Sequence, residues 1–245
     1  MDNKRIEDIV IFLKSLKINS IRFNQLLDNN NLEKLRIINE ALTHSSVCKE
    51  INHEKLEFFG DAVLRLSASE FIENNFPNMN VGERSELRAQ IVSDEWLTNF
   101  GKKINLGKII IVGPKAMGDS FSKDTIIAEI TEALIGALYK CLSSVKEINL
   151  WLDQYWLKDS ILILNSPYKF NAKSKLQEWC QSKSIDLPLY KIIEMSKTHG
   201  DQKRFYCELF IQGKLYAKSY GKSHKKAEKD AASKAIEFLM KTNNY

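Results

Sequence analysis

Cysteine is scarce in this chain, and its four copies lie far apart. Cys48, Cys141, Cys180 and Cys207 form no CxxC pair and no spacing typical of a zinc site. Isolated cysteines of this kind are typical of reduced thiols, which persist in the cytosol. We therefore expect a cytoplasmic protein.

Long apolar runs are also absent from the sequence. The longest run near the start, IVIFL at residues 9–13, is too short for the core of a signal peptide, and acidic residues precede it. No run approaches the roughly 18 apolar residues that a membrane span requires. The hydrophobic share of 44% and the charged share of 27% fit a soluble globular protein. We expect no membrane association, and 245 residues leave room for two modest domains.

The net charge of +5 is distributed unevenly along the chain. Residues 166–245 contain 16 lysines and arginines against 8 aspartates and glutamates, whereas residues 1–165 contain 20 against 23. A basic segment after a mildly acidic body indicates two domains with different roles, and the basic one is a candidate for binding a polyanion. A solvated, lysine-rich surface without a ligand would show the same excess.

The hydrophobic period changes about two thirds of the way along the chain. Apolar spacings of three and four predict a helical domain over residues 1–160, followed by a linker at 161–167. Beyond the linker, a helical segment precedes residues that alternate with period two around a turn near Gly213. A last helix begins after Ser223, its predicted N-cap. We therefore predict a mainly α protein in which residues 168–242 form a small α-β-β-β-α domain.

Residues 53–66, HEKLEFFGDAVLRL, combine three acids with an otherwise apolar helical pattern. Because each residue of a helix turns about 100°, Glu54, Glu57 and Asp61 would lie along one narrow sector. Apolar residues would occupy most of the remaining circumference: Leu56, Phe59, Ala62, Val63 and Leu66. A helix that is apolar on nearly all sides is buried, so we expect its acids to face an interior or a cleft.

A second apolar helix, KDTIIAEITEALIGALYKCL, carries Glu129 and Glu132 on one face. Bringing these carboxylates close to the first set costs electrostatic repulsion unless a cation lies among them, and all-oxygen clusters suit Mg²⁺ or Mn²⁺. Gly60 and Gly136 lie inside the two helices, where glycine costs about 1 kcal/mol relative to alanine. They favour the close approach of another backbone. The alternative is that the acids line a solvated helix face.

The segment HEKLEFFGDAVL resembles the signature helix of the ribonuclease III family, whose core is Leu-Glu-Phe-Leu-Gly-Asp. Further segments match in order, namely ALTHSS at residues 41–46, SELRAQIVS with its downstream Leu-Gly, and IIAEITEALIGALY. The resemblance implies an all-helical endonuclease domain that cuts double-stranded RNA. It also implies dependence on Mg²⁺, for which Mn²⁺ can substitute, and products with 5′-phosphate and 3′-hydroxyl ends.

The resemblance also implies roles for individual acids. Asp61 and Glu132 are the expected catalytic residues, and they share the expected metal-ligand set with Glu57 and Glu129. Glu54 matches an auxiliary acid that precedes the signature core. Glu129 departs from the pattern, because the bacterial family usually has Asp there, and the carboxylate of Glu lies one methylene further out.

A homodimer is implied as well, with the signature helix in the subunit interface and each subunit cutting one strand. Phe58 and Phe59 are the candidate interface residues, and ordinary core packing is the alternative for both. The usual task of the family, maturation of ribosomal RNA precursors and other transcripts, is the expected cellular role.

The C-terminal segments AKSKLQEWCQ, RFYCELFIQGKLYAKSYGKS and SHKKAEKDAASKAI resemble a double-stranded-RNA-binding domain. Such a domain would recognise the shape of the duplex across its minor grooves, with lysines on the intervening phosphates. The loop between the first two strands lacks the proline of the family's Gly-Pro-x-His motif. The expected RNA-binding residues are Gln177, Glu178, His199, Lys222, His224, Lys225 and Lys229.

Two other functions are compatible with parts of the sequence. A degenerate nuclease fold could be the scaffold of a non-catalytic RNA-binding dimer, but degenerate copies are expected to lose acids, and all four positions here keep a carboxylate. A helical metal-carboxylate enzyme that acts on small phosphates would not need the basic C-terminal domain. The leading prediction is therefore an endoribonuclease.

Overall fold

The chain folds into two compact units, Met1–Ser160 and Ile161–Tyr245. The residues described by the computed structural model are 1–28, 31–117, 120–165, 172–198 and 201–242. Helices make up the first unit, and a helix, three strands and a helix make up the second, so the predicted fold class is confirmed. Within the described ranges, no helix combines the length and the apolar character needed to cross a membrane.

Eight α-helices lie among the described residues up to position 165. They are α1 (Asn3–Ser15), α2 (Ile21–Asp28), α3 (Leu32–Ala41), α4 (Glu54–Asn75), α5 (Val81–Ile91), α6 (Asp94–Lys103), α7 (Ser120–Leu142) and α8 (Val145–Leu164). The first four residues of the predicted linker, 161–164, continue α8, and residues 166–171 lie outside the described ranges. The predicted linker and domain boundaries remain a prediction.

The acid-bearing helices α4 and α7 cross at two glycines. A methyl group on Gly60 would overlap the backbone carbonyl of Glu132, and a methyl group on Gly136 would overlap the carbonyl of Leu56. The two helix backbones therefore touch directly, which confirms the close packing predicted from the glycines. This contact fixes the acidic faces of α4 and α7 beside each other.

Helix α7 is buried along most of its length, as its apolar pattern predicts. Its buried apolar side chains include Ile126, Ala128, Ile130, Ala133, Leu134, Ile135, Ala137 and Leu138. Because this helix is enclosed by the rest of the first unit, its position is fixed, and the acids it carries are held in place.

For α4, the prediction of burial on all apolar sides is wrong. Leu56 and Val63 are buried, but Ala62 is exposed and Leu66 is 52% exposed. Phe58, one turn before Ala62, is 85% exposed. Phe58, Ala62 and Leu66 therefore form an apolar stripe on the surface, because the neighbouring helices cover only part of the circumference of α4.

Helix α6 is anchored at its start and on its inner face. The Ser93 hydroxyl accepts a hydrogen bond of 3.2 Å from the Trp96 backbone N–H, which caps the helix. The Trp96 indole donates to the Asp159 carboxylate at 2.8 Å and stacks on Phe100, with ring centroids 4.9 Å apart. These contacts hold Asp94, the first residue of α6, in a fixed position.

The second unit has the predicted α-β-β-β-α order. Its elements are α9 (Ala172–Ser182), β1 (Leu189–Glu194), β2 (Phe205–Ile211), β3 (Lys214–Gly221) and α10 (His224–Lys241). The strands form one antiparallel sheet in the order β1-β2-β3. Gln212 and Gly213, with φ angles of 49° and 73°, make the tight turn between β2 and β3, so the turn predicted near Gly213 is confirmed.

One face of this sheet packs against both helices. Along β2, buried and half-buried residues alternate, and the buried Cys207 and Leu209 point toward α9 and α10. The buried Ser219 hydroxyl donates to the Ala227 carbonyl, which ties β3 to the first turns of α10. At Gly221 a methyl group would collide with the Ala227 backbone, so glycine lets the strand approach the start of the helix.

Candidate functional site

The four predicted metal ligands lie on the two helices that cross at glycine. Glu57 and Asp61 are about one turn apart on α4, and Glu129 and Glu132 are about one turn apart on α7. Because Gly60 packs against the backbone of Glu132, the two pairs of acids lie close enough to influence one another.

Glu132 is influenced by several other acids of this cluster. Burial, together with the negative charges of Asp61 and Glu57, raises the pKa of Glu132 to about 7. Asp94 adds to this shift, whereas Arg65 opposes it. A cation among these carboxylates would relieve their mutual repulsion, so the raised pKa marks a favourable place for one.

His53 lies between the carboxylates of the two helices. Its Nε2 atom is 3.4 Å from Glu57 Oε2 and 3.5 Å from Glu129 Oε2, and its side chain is only 2% exposed. Burial and the charge of Glu129 raise the pKa of Glu57, and His53 partly offsets this shift. His53 thus connects the Glu57 side of the cluster with Glu129.

A second imidazole faces the same oxygen of Glu129. His44 Nε2 is 3.9 Å from Glu129 Oε2, and the ring stacks on His53 with a centroid separation of 4.9 Å. His44 Nδ1 lies 2.8 Å from Ser46 Oγ, which also accepts a hydrogen bond of 2.9 Å from the Gly113 N–H. Burial lowers the pKa of His44, which favours its neutral form.

Asp61 and Glu54 lie at the accessible side of the cluster. The Arg65 Nε–H contacts both carboxylate oxygens of Asp61, at 2.8 and 2.9 Å. This ion pair is largely exposed, so it is weak and can open for a ligand. Glu54 is exposed in the first turn of α4, and its charge adds to the raised pKa of Glu57.

Three residues of the cluster are missing from the set predicted from the sequence, namely His44, His53 and Asp94. No spacing rule connects them with Glu129 or Glu132, because the contacts join distant segments of the chain. The available signal was their position, since His44 belongs to the ALTHSS segment and His53 begins HEKLEFFGDAVL.

The four helical carboxylates fit a divalent cation. Glu57, Asp61, Glu129 and Glu132 offer only oxygen atoms, the donors that Mg²⁺ and Mn²⁺ prefer. The pKa of Glu132, raised by burial and by neighbouring carboxylates, indicates that negative charge is uncompensated at this point. These residues could therefore hold such an ion, with Glu54 at the edge of the site.

The start of α10 carries two of the predicted RNA-binding residues. The Ser223 hydroxyl accepts a hydrogen bond of 3.2 Å from the Lys226 N–H, so the predicted N-cap is confirmed. His224 and Lys225 follow and are exposed, and the His224 ring packs edge-on against Phe205 at 4.3 Å. Backbone N–H groups at a helix N-terminus attract anions, and the neighbouring side chains can add positive charge.

The other predicted RNA-binding residues are distributed over the second unit. Gln177 and Glu178 are both exposed on α9. Lys222 is exposed just before the cap of α10, and Lys229 is half-buried in its second turn. His199 lies outside the described residues.

Two protein-family models match the chain. A model described as "Ribonuclease-III-like" matches residues 34–148, and a model described as "Double-stranded RNA binding motif" matches residues 172–239. The first match contains the crossing of α4 and α7 with all of its acids, and the second contains α9, the sheet and most of α10.

Curated relatives match over most of the chain. Ribonuclease 3 of Prochlorococcus marinus is 47% identical over 239 residues, which cover 98% of this chain and 96% of the relative. Ribonuclease 3 2 of Nostoc sp. is 34% identical over 180 residues, 74% of each chain. Ribonuclease 3 of Aliarcobacter butzleri is 38% identical over 207 residues, 83% of this chain and 90% of the relative. The chain therefore belongs to the ribonuclease III family.

Proposed function

We propose that this chain is an endoribonuclease that hydrolyses double-stranded RNA with Mg²⁺ and leaves 5′-phosphate and 3′-hydroxyl ends. Mn²⁺ is expected to substitute for Mg²⁺. The observation that carries the proposal is the glycine crossing of α4 and α7, which brings four carboxylates together. The double-stranded-RNA-binding motif in the same chain supports the choice of substrate.

In this proposal Asp61 and Glu132 are the catalytic residues, and Glu57 and Glu129 complete the ligand set. A divalent cation held by these residues would lower the pKa of a water molecule. Its positive charge would also stabilise the phosphodiester oxygens. The raised pKa of Glu132 describes the metal-free protein, and a cation bound among these carboxylates would favour the ionised form of Glu132. Glu54, exposed at the edge, would act as an auxiliary acid that orients solvent.

The second unit would bind the duplex by its shape. Lysines and the helix N-terminus would contact phosphates, and α9 would contact the minor groove. The exposure of His224 and Lys225 beside the Ser223 cap supports this assignment. The proposed contacts are Gln177, Glu178, His199, Lys222, His224, Lys225 and Lys229.

We also infer that the protein forms a homodimer through the apolar stripe of α4. Phe58 is 85% exposed, and an apolar side chain this exposed beside others is typical of an interaction surface. Phe59 is half-buried with its ring 5.6 Å from that of Tyr139, so we assign Phe59 to the core and Phe58 to the interface.

Replacing Phe58 should separate the subunits. We expect Phe58→Asp to be monomeric by light scattering at micromolar concentration. Dimer formation would bury the new carboxylate in an apolar interface without an oppositely charged group, which is energetically costly. Ile11→Asp is the matched control, since Ile11 is 67% exposed on α1 and should leave the dimer intact. A monomeric parent protein would contradict the dimer.

Processing of ribosomal RNA precursors and other transcripts in the cytoplasm is the cellular role we propose. The processing role rests on family membership, and the widely spaced free cysteines support a cytoplasmic location. The non-catalytic alternative has no support among the described residues, because all four acidic positions are carboxylates in one cluster.

End mapping of a labelled RNA duplex tests the proposed reaction. We expect staggered cuts with Mg²⁺ and none with EDTA, and Asp61→Asn should bind the duplex without cutting it. Cleavage that persists in EDTA would exclude the proposed mechanism. Duplex binding without any cleavage in Mg²⁺ would instead support the non-catalytic alternative.

A further inference from the structure

Three possible metal ligands converge from three separate segments of the first unit. His44 follows α3, His53 precedes α4 and Glu129 lies in the middle of α7. One ligand atom from each lies within 4.8 Å of the others. We propose that these residues form a binding site for a transition-metal ion such as Zn²⁺, which shares Glu129 with the carboxylate site.

His53 is buried, and its Nε2 atom lies between two carboxylates at distances longer than a usual hydrogen bond. Its side chain is 2% exposed, and its Nδ1 atom is buried without a hydrogen-bond partner. Its Nε2 atom lies 3.4 Å from Glu57 Oε2 and 3.5 Å from Glu129 Oε2. These distances exceed the usual N–H···O range, which ends near about 3.2 Å.

The same distances suit ligands that share one ion. Two ligands of a tetrahedral Zn²⁺, each bound at about 2.0–2.1 Å, are separated by about 3.3 Å. The pairs that His53 forms with Glu57 and Glu129 are within a few tenths of an ångström of this separation. His44 Nε2 lies 3.9 Å from Glu129 Oε2, and the three ligand atoms lie within 4.8 Å of one another, so His44 would have to move closer to bind the same ion.

His44, unlike His53, has a hydrogen-bond partner for the ring nitrogen that would not bind the ion. Ligating histidines usually donate a hydrogen bond from the other ring nitrogen. His44 Nδ1 lies 2.8 Å from Ser46 Oγ, which can accept a hydrogen bond from Nδ1–H. In that tautomer the Nε2 atom has a free lone pair on the side of Glu129. The Ser46 backbone N–H, 3.1 Å from Nδ1, favours the other tautomer. An ion at Nε2 would require the tautomer protonated at Nδ1, which gives up the hydrogen bond from the Ser46 N–H.

The donor set determines which ion binds. Two imidazole nitrogens favour Zn²⁺, Co²⁺ or Ni²⁺ over Mg²⁺, which prefers oxygen ligands. Glu57 can act as a fourth ligand through the oxygen that faces His53. Since Glu129 and Glu57 also belong to the proposed Mg²⁺ site, the two ions would compete. Under the proposed function, Zn²⁺ would inhibit cleavage by drawing Glu129 toward the histidines.

Cobalt binding tests the site without RNA or Mg²⁺. We expect the full-length protein to give the visible absorption of tetrahedral Co²⁺, and Zn²⁺ to abolish it. His53→Asn and His44→Asn should each weaken Co²⁺ binding by about tenfold or more, because each removes a nitrogen ligand. His224→Asn, which removes a histidine of the second unit, and Asp61→Asn, which alters only the carboxylate site, are the controls and should bind Co²⁺ like the parent.

Three results would overturn the site: no tetrahedral Co²⁺ spectrum, a spectrum that survives in both histidine variants, or one that is lost in His224→Asn. Circular dichroism melting would check that each variant folds, and Glu129→Gln provides a third ligand variant if one of the histidine variants does not. Because the spectrum requires no catalysis, a protein without nuclease activity would still answer the question. Failure of the metal site is therefore distinguishable from failure of the proposed function.

Discussion

Among individual residues, Glu129 has the most distinctive environment. Its Oε2 atom faces His53 and His44, at 3.5 and 3.9 Å, while its carboxylate also raises the pKa of Glu57. The sequence shows Glu at this position, whose side chain is one methylene longer than the Asp that the bacterial family usually has. The histidine partners could not be predicted, because only the folded chain brings the segments before α4 and after α3 next to α7.

Two substitutions of Glu129 test separately whether cleavage needs a carboxylate at this position and whether it needs the longer side chain of Glu. Glu129→Gln should slow cleavage by at least about tenfold, since even indirect partners of a bound metal contribute this much. Glu129→Asp keeps the charge, so it should retain cleavage with a shifted Mg²⁺ requirement. Rates measured over a series of Mg²⁺ concentrations check both. If Glu129→Gln cleaves like the parent, Glu129 is not a ligand.

The environment of Glu132 should make stability depend on pH. Its folded-state pKa of about 7 lies above the ordinary 4.5, so between these values the folded chain binds more protons than the unfolded chain. The metal-free protein should therefore lose stability as pH rises from about 4.5 to 7. Glu132→Gln should flatten this dependence.

Urea unfolding in EDTA at several pH values measures the effect. Glu95→Gln is the matched control, because Glu95 is exposed at the start of α6 and should preserve the slope of the parent. An identical pH dependence in Glu132→Gln and the parent would show that Glu132 titrates normally in the folded state.

Among the elements, the crossing of α4 and α7 determines the geometry of the site. The interior glycines predicted close packing, but the sequence could not show that Gly60 lies against the carbonyl of Glu132 itself. The helical pattern of α4 did not reveal its outward stripe, although the family resemblance had indicated Phe58 as an interface residue. A helical pattern shows which residues are apolar, but it does not distinguish the core of one chain from a surface that a partner covers.

A methyl group at the crossing should separate the helices. Gly60→Ala would force the carbonyl of Glu132 away, which should lower the free energy of unfolding by about 1–3 kcal/mol and also reduce cleavage. Gly107→Ala is the control, since the nearest atom that its methyl group would meet beyond the neighbouring residues, Ile127 Cδ1, is 4.0 Å away. Equal urea midpoints for the two variants would contradict a tight crossing.

For the whole molecule, composition already indicated the division of labour. The positive excess lies after residue 165, and the α-β-β-β-α elements lie there too. Long periodic segments and turn residues such as Gly213 made the fold predictable, because they act locally. Contacts such as His53 with Glu57 and Glu129 depend on how distant segments meet, which local patterns do not encode.

The salt dependence of duplex binding tests the second unit. Lys225→Ala should weaken binding and reduce the slope of log K against log salt by about 1, because one phosphate contact is lost. Lys191→Ala is the control, since Lys191 is exposed on β1, on the sheet face opposite the helices. An unchanged slope in Lys225→Ala would remove Lys225 from the RNA-binding surface.

The glycine crossing also has a consequence for how this chain can diverge. A copy that loses catalysis is free to exchange Asp61 or Glu132, because neither carboxylate holds the helices together. Gly60 and Gly136 are under a different constraint, since any larger residue there collides with backbone whether or not RNA is cut. In descendants that have become inactive, we expect both glycines to persist after the acids have been replaced.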